Sequence, residues 1–272
     1  MNNFNNDNVL NGFNFARLAD HVFAENLTEN KTVKTIKNGI KVENVNEQDI
    51  IFCKTDCILD LFNELQILPE WYNLKIITHE SDYEINQSLF SRKPKCVAKW
   101  FAINVNYKHE NLVPIPIGLA NEHCTITLKI DDIKSQILKK EKLLYVNHRV
   151  KTNISKRKYL YDFFSTNDWC TVDTPDLSLE QFSEKISKHH YMLCPVGNGI
   201  DTHRLWESLY SGVVPVVEDH INYHNMKQLP ILFIDSFKSI TKEILEHNLN
   251  IFTSKNIQQL NIEWWKKYIK GE

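Results

Sequence analysis

Short apolar runs alternate with amphipathic segments along most of the chain, and no other feature restricts its fold as much. Strand-like runs lie at 49–53, 75–78, 96–103, 112–117, 142–147, 169–172, 191–194, 213–217 and 231–234. Between them, apolar residues at helical spacing predict helices over 58–68, 131–140, 156–164, 179–188, 201–210, 240–246 and 257–269. Strands joined by helices of this length build parallel sheets from βαβ units. The expected fold is therefore α/β, with two Rossmann-like domains facing a cleft. The break is placed near 135–142, where QILKKEKLLYV passes from a charged helix end into a fresh apolar strand. This gives an N-terminal domain at 1–140 and a C-terminal domain at 141–272. The 272 residues suffice for two small cores.

Composition removes several function classes. With 32 basic and 34 acidic residues, the net charge of -2 offers no broad cationic surface for nucleic acid. The longest apolar stretches are strand-sized, well short of the ~20 residues that span a bilayer. The opening MNNFNNDNVLNGF has neither a basic n-region nor an apolar run, so no secretory signal is expected. Cys53, Cys57, Cys96, Cys124, Cys170 and Cys194 are expected as reduced thiols of a cytoplasmic protein. Cys53 and Cys57 lack the second pair of a zinc site and read as small residues at a strand-to-helix join.

Residues 191–220, YMLCPVGNGIDTHRLWESLYSGVVPVVEDH, carry the most chemistry. A buried strand ends at Pro195. Gly197 and Gly199 permit positive φ and close backbone approach, and Asp201 or Thr202 caps the next helix. The amides and dipole of a helix start suit a diphosphate, and Arg204 in the first turn adds a bidentate cation. Glu207 neighbours both His203 and Arg204 on that helix and is placed to accept hydrogen bonds from sugar hydroxyls. Each residue alone also reads as an ordinary turn or surface pair; Asp, His, Arg and Glu within seven positions of a glycine loop favour a site.

The same segment resembles the donor-binding region of exostosin-like glycosyltransferases and related viral and bacterial sugar transferases, and more loosely that of α1,3-fucosyltransferases. The supporting stretches are KLLYVNHR at 142–149 with Asn153 and Arg157, KWFAIN at 99–104 and IPIG at 115–118. The likeness covers about residues 75–235. It implies a GT-B fold and a nucleotide-sugar donor, which is a substrate, so no cofactor is expected. Gly197, Asn198 and Gly199 would border the diphosphate; Asp201, His203, Arg204 and Glu207 would contact the donor; Arg149 and Arg157 would add cations. No Asp-x-Asp sits at a strand end, since Asp131-Asp132 lies in a polar helical stretch and Asp173 and Asp176 flank a proline turn. Chemistry without a metal is expected, with cations stabilising the leaving diphosphate.

A catalytic base for an inverting transfer is expected from the first domain, in Thr78-His79-Glu80-Ser81-Asp82 after the strand at 74–78. Strand carboxyl ends face the cleft in open α/β sheets, so Glu80 or Asp82 would take the acceptor proton, with His79 as orienter and Lys99 and Asn104 lining the same cleft. The acceptor would be a glycan or a lipid-linked hydroxyl. A dinucleotide oxidoreductase fits poorly, because the third glycine is missing and the loop comes late in the chain. A non-catalytic sugar- or nucleotide-binding protein of the same fold is the main alternative. The aromatic, basic tail EWWKKYIK suits peripheral contact with a membrane surface, but packing of its Trp and Ile face on the fold is the preferred reading.

Overall fold

In the computed structural model, which describes residues 4–24, 27–29, 32–34, 41–134 and 139–272, two five-stranded parallel sheets carry the chain. In chain order the first half contains β1 (His21–Phe23), an antiparallel hairpin of β2 (Leu27–Glu29) and β3 (Thr32–Lys34), then β4 (Ile50–Lys54), β5 (Leu74–His79), β6 (Val97–Ala102) and β7 (Leu112–Pro114). Its sheet runs β1-β4-β5-β6-β7. The second half contains β8 (Lys142–Val146), β9 (Cys170–Val172), β10 (His189–Leu193), β11 (Val214–Glu218) and β12 (Leu232–Ile234), ordered β12-β11-β10-β8-β9. The two Rossmann-like sheets expected from the alternation are present. The run at 112–117 closes early because Pro114 and Pro116 have no N–H to continue a ladder. Three-residue β1 and the hairpin are too short to leave a periodic signal.

The helices are α1 (Gly12–Ala16), α2 (Ile58–Leu65), α3 (Gln87–Phe90), α4 (Ile130–Lys134), α5 (Ile154–Ser165), α6 (Leu179–Ser187), α7 (His203–Tyr210), α8 (Lys242–His247), α9 (Ile251–Ser254) and α10 (Ile262–Lys270). Their starts are chemically marked. Asn153 caps α5 through Lys156 N, Ser178 and Gln181 form a capping box on α6, and Asn261 caps α10. That cap splits the helix expected over 257–269 into a 3-10 turn and α10. Residues 135–138, which hold part of the helix expected over 131–140 and of the expected break, lie outside the described residues.

One face of the first sheet packs Ile51, Ile76 and Trp100 against Leu61, Phe62 and Leu65 of α2. The other face is covered by α1 and by α10, the last helix, which crosses back from the second half. Phe15 meets Trp265 with ring centroids 6.3 Å apart. Lys75 Nζ donates to the final carbonyls of α10, Ile269 O at 2.8 Å and Lys270 O at 2.9 Å. The apolar face of the tail, Ile262, Trp265 and Ile269, is buried in protein. In the second sheet, Leu160 and Phe164 of α5 cover one face and Phe182, Ile186, Leu205 and Leu209 of α6 and α7 the other. A single apolar core runs from the α10 side of the first sheet to the α7 side of the second. Among the described residues no helix is long and apolar enough to cross a membrane.

Candidate active site between the sheets

The second sheet reverses its order at β8: the chain moves out to β9, then returns to β10 on the other side. Ligands of open α/β sheets bind in the crevice beyond the strand ends at such a reversal. Here the crevice lies between Asn147, His148 and Arg149 after β8 and the 195–199 loop after β10. Arg157 of α5 forms its floor. Its Nε donates to Val196 O (2.8 Å), Nη2 to Pro195 O (2.8 Å), and Nη1 to Arg149 O (3.0 Å) and Thr152 Oγ1 (2.5 Å). Arg157 is 7% exposed. Burial, then the neighbouring Arg204 charge, lowers its guanidinium pKa to about 10. Arg157, expected as a phosphate cation, uses its N–H groups to hold the glycine loop to the loop after β8.

The glycines are corrected in the same sense. Neither Gly197 nor Gly199 adopts positive φ. A Cβ on Gly197 would lie 2.9 Å from Arg157 Nη2, and one on Gly199 2.7 Å from Asn104 Nδ2. The atoms nearest to them are Arg157 and Asn104 of the protein itself. Asn104, buried and left-handed at φ +55°, donates from Nδ2 to Ser81 O (3.1 Å) and accepts on Oδ1 from Asp201 N (3.0 Å), tying the two halves together. Lys99 does not share its position; it is exposed, and its charge acts on Lys75 near Lys270.

At the start of α7 the cap position belongs to Thr202, whose side chain makes no capping bond. Asp201 turns inward and accepts from Ile117 N (2.9 Å), Thr202 N (2.8 Å) and Trp206 Nε1 (3.0 and 3.1 Å). Burial pushes its carboxyl up to about 6 despite these donors. Glu207 is 2% exposed. One of its oxygens accepts from Leu128 N at 2.9 Å, and the other lies 3.3 Å from Arg204 Nη1. Asp201 and Glu207, expected to contact the donor directly, are thus joined to the first half. Arg204 stacks its guanidinium on Phe182, 3.8 Å above the ring, and faces Asn147 Oδ1 at 3.5 Å. Its Nη1 has no aligned hydrogen-bond partner. Arg149 and Asn198 are exposed at the rim. His203 Nδ1 donates to Gly118 O at 2.8 Å, and burial lowers the pKa of the ring.

The first sheet contributes the facing wall. Beyond β5, Glu80 is left-handed at φ +61°. Buried His79 directs Nε2 toward Pro116 O (3.3 Å), accepts the Glu80 N–H on Nδ1 (2.9 Å) and stacks on Phe15. The Glu80 carboxylate lies 3.3 Å from that Nδ1. Burial acts to raise its pKa, but the interactions with His79 and the charges of His203 and His123 outweigh it and leave the carboxyl below the ordinary range. Exposed Asp82 accepts from Asn198 Nδ2 at 3.1 Å. The structure therefore brings Glu80 and Asp82 together with Asn198 and His203, and sets Arg157, Asp201 and Glu207 beneath them. The sequence reading did not foresee Gly12, His123, Asn147 or Lys129. Lys129 Nζ gathers Ala120 O, Asn121 O, Cys124 O and Thr127 Oγ1 at 2.7–3.2 Å, shaping the loop that presents Leu128 N to Glu207.

Residues 163–271, which hold the glycine loop and α7, match the family model of the RXYLT1 C-terminal domain. This part of the chain is similar to a glycosyltransferase family. No curated protein matches the sequence. Among solved structures the chain is similar to the pneumococcal O-GlcNAc transferase GtfA in complex with UDP and GlcNAc, at 14% identity over 85% of this chain and 58% of that one, TM-score 0.40. It is also similar to the GtfA/B complex, at 12% identity over 91% and 65% of the two chains, TM-score 0.42. An α1,3-fucosyltransferase matches at 12% identity over 93% of this chain and 80% of its own, TM-score 0.41. The chain thus spans less than two thirds of the first two.

Proposed function

We propose that the protein transfers a sugar from a nucleotide-sugar donor to a hydroxyl of a glycan or lipid-linked acceptor. The observation that carries this is the meeting of two strand ends across one cleft. The carboxylates after β5 face the glycine loop and α7 start, and Asp82 and Asn198 are 3.1 Å apart. The family match over that same loop and helix supports sugar transfer as the chemistry. The donor diphosphate lies between Arg204 and Arg149, at the helix start and the sheet's reversal point. In an inverting transfer, Glu80 takes the acceptor proton as the acceptor oxygen bonds the anomeric carbon. The nucleoside diphosphate departs with the bonding pair, its charge met by the arginines. Glu80 is preferred over Asp82 because its carboxylate is held at a fixed place, whereas Asp82 is exposed.

The reaction is proposed to run without a metal, with Arg204 and Arg149 supplying the charge. Six unpaired cysteines agree with a cytoplasmic setting. A thermal-shift series with GDP, UDP, CDP and their sugars tests donor binding. A nucleotide at 100 times its Kd stabilises by about 2.7 kcal/mol, and no shift with any of them would overturn the reading. Release of free sugar from the matched donor separates a catalyst from a binding protein. Activity that vanished in excess EDTA and returned with Mg²⁺ or Mn²⁺ would overturn the metal-free part.

A further inference from the structure

Gly12 opens α1, far in sequence from every residue of the proposed mechanism. A Cβ built on it would lie 1.7 Å from Glu80 Oε1, 2.5 Å from Cδ and 3.0 Å from Cγ. The Glu80 carboxylate thus occupies the volume that any other residue type at position 12 would fill. Gly12 does not need to be glycine for its own backbone, since its φ is not positive. The three atoms nearest to such a Cβ all belong to Glu80.

The segment around Gly12 is fixed to both halves of the molecule. Asn11 Oδ1 accepts from Asn14 N (2.7 Å), Leu10 N donates to Tyr210 Oη (2.9 Å), and Leu119 N donates to Leu10 O (2.8 Å). Val9 forms an antiparallel bridge with Asn261, and Phe13 N donates to Asn121 Oδ1 at 3.3 Å. If a methyl group were added, the end of the Glu80 side chain would yield before this backbone.

We infer that Gly12 is a positioning residue for Glu80, and that the N-terminal segment is a wall of the reaction site. This rests on the reading of Glu80 as the base. Its left-handed backbone, the His79 Nδ1 that accepts its N–H, and the Gly12 Cα that bounds its carboxylate fix the side chain from three directions.

The test is Gly12→Ala, alone and combined with Glu80→Gln, read by steady-state transfer, donor Kd and a carbon-13 NMR titration of the Glu80 carboxyl. Expected are a kcat loss of at least about tenfold for Gly12→Ala with donor Kd unchanged, no further loss in the Glu80→Gln background, and a displaced titration midpoint. An unmoved midpoint would overturn the inference whatever happens to turnover. So would a Gly12→Ala loss that persists in Glu80→Gln. If Glu80→Gln itself keeps wild-type turnover, the base assignment fails, and the midpoint alone decides whether Gly12 holds Glu80. If Gly12→Ala does not fold, Gly12→Ala/Glu80→Ala, which frees the contested volume, should fold with the wild-type Tm. A double variant that also stays unfolded would sink the idea.

Discussion

The two strand ends that meet in the cleft use their polar residues in opposite ways. After β5, exposed Asp82 meets Asn198, and the Glu80 carboxylate lies between His79 Nδ1 and the Gly12 backbone. After β10, nearly every polar group is bonded to the protein. Arg157 grips two carbonyls of the loop, Asn104 lies against Gly199, and Asp201 and Glu207 accept backbone N–H groups of the first half. The richer cluster in the sequence is thus largely an interlock, and the sparser one holds the freer chemistry. A dense run of charges marks where two surfaces must be joined without water as readily as where a ligand sits.

This division is open to attack by mutation. The largest effect is expected at the first strand end: Glu80→Gln should lower kcat by ~10²–10⁴-fold with donor affinity unchanged, while Asp82→Asn should lose less than about tenfold. Equal losses in rapid-mix kinetics would erase the distinction between the two carboxylates. Next is Arg157→Ala, which strips charged hydrogen bonds from buried carbonyls and should destabilise by about 3 kcal/mol or more in urea unfolding. Lysine should not restore it, because one ammonium cannot reproduce the fork. If Arg157→Ala instead folds normally and loses only nucleotide binding, the interlock description fails.

Arg204→Ala should weaken nucleoside-diphosphate binding by ~1.5–3 kcal/mol in calorimetry, and it should also lower stability because buried Glu207 loses its guanidinium partner. Unchanged affinity would remove Arg204 from the donor site. The smallest effect concerns pH. Buried His148 donates from Nε2 toward Arg157 O (3.2 Å), its Nδ1 has no partner, and burial with the nearby arginine charges lowers its pKa to about 4. The folded state thus refuses a proton that the unfolded chain accepts near pH 6.5. Stability from this group is complete above that value and is lost as pH falls toward 4, by about 2 kcal/mol at pH 5. His148→Gln should show a correspondingly smaller drop in unfolding free energy between pH 7.5 and pH 5; an identical drop would mean His148 is not the group whose protonation opposes folding.

Much of the scaffold was legible because burial imposes a period. All nine expected strands occur, and 58–68, 156–164 and 179–188 differ from α2, α5 and α6 only at their ends. The candidate site residues were legible as a cluster and less so as a set of contacts. Gly197, Asp201 and Glu207 stand close along the chain, but whether a carboxylate meets a ligand or Leu128 N depends on a loop that folds over α7 from elsewhere. Arg157 carried no local sign of burial, since Ser155, Lys156 and Lys158 flank it. Gly12 left only an Asn-Gly pair, and its importance arises from Glu80, which only the tertiary structure brings near.

The seating of the N-terminal segment against Asn261 and Ile262 has a bearing on how the molecule is assembled. Ile262 N donates to Asn8 O at 2.9 Å, and Val9 is bridged to Asn261. During synthesis, residues 8–12 emerge long before the stretch that holds them. The first sheet likewise lacks the cover on its α1 face until α10 has been made. Contacts this distant along the chain form only after the loop between them has closed, which makes them slow. Until α10 is made, Phe15 lacks its contact with Trp265 and Lys75 lacks its helix carbonyls.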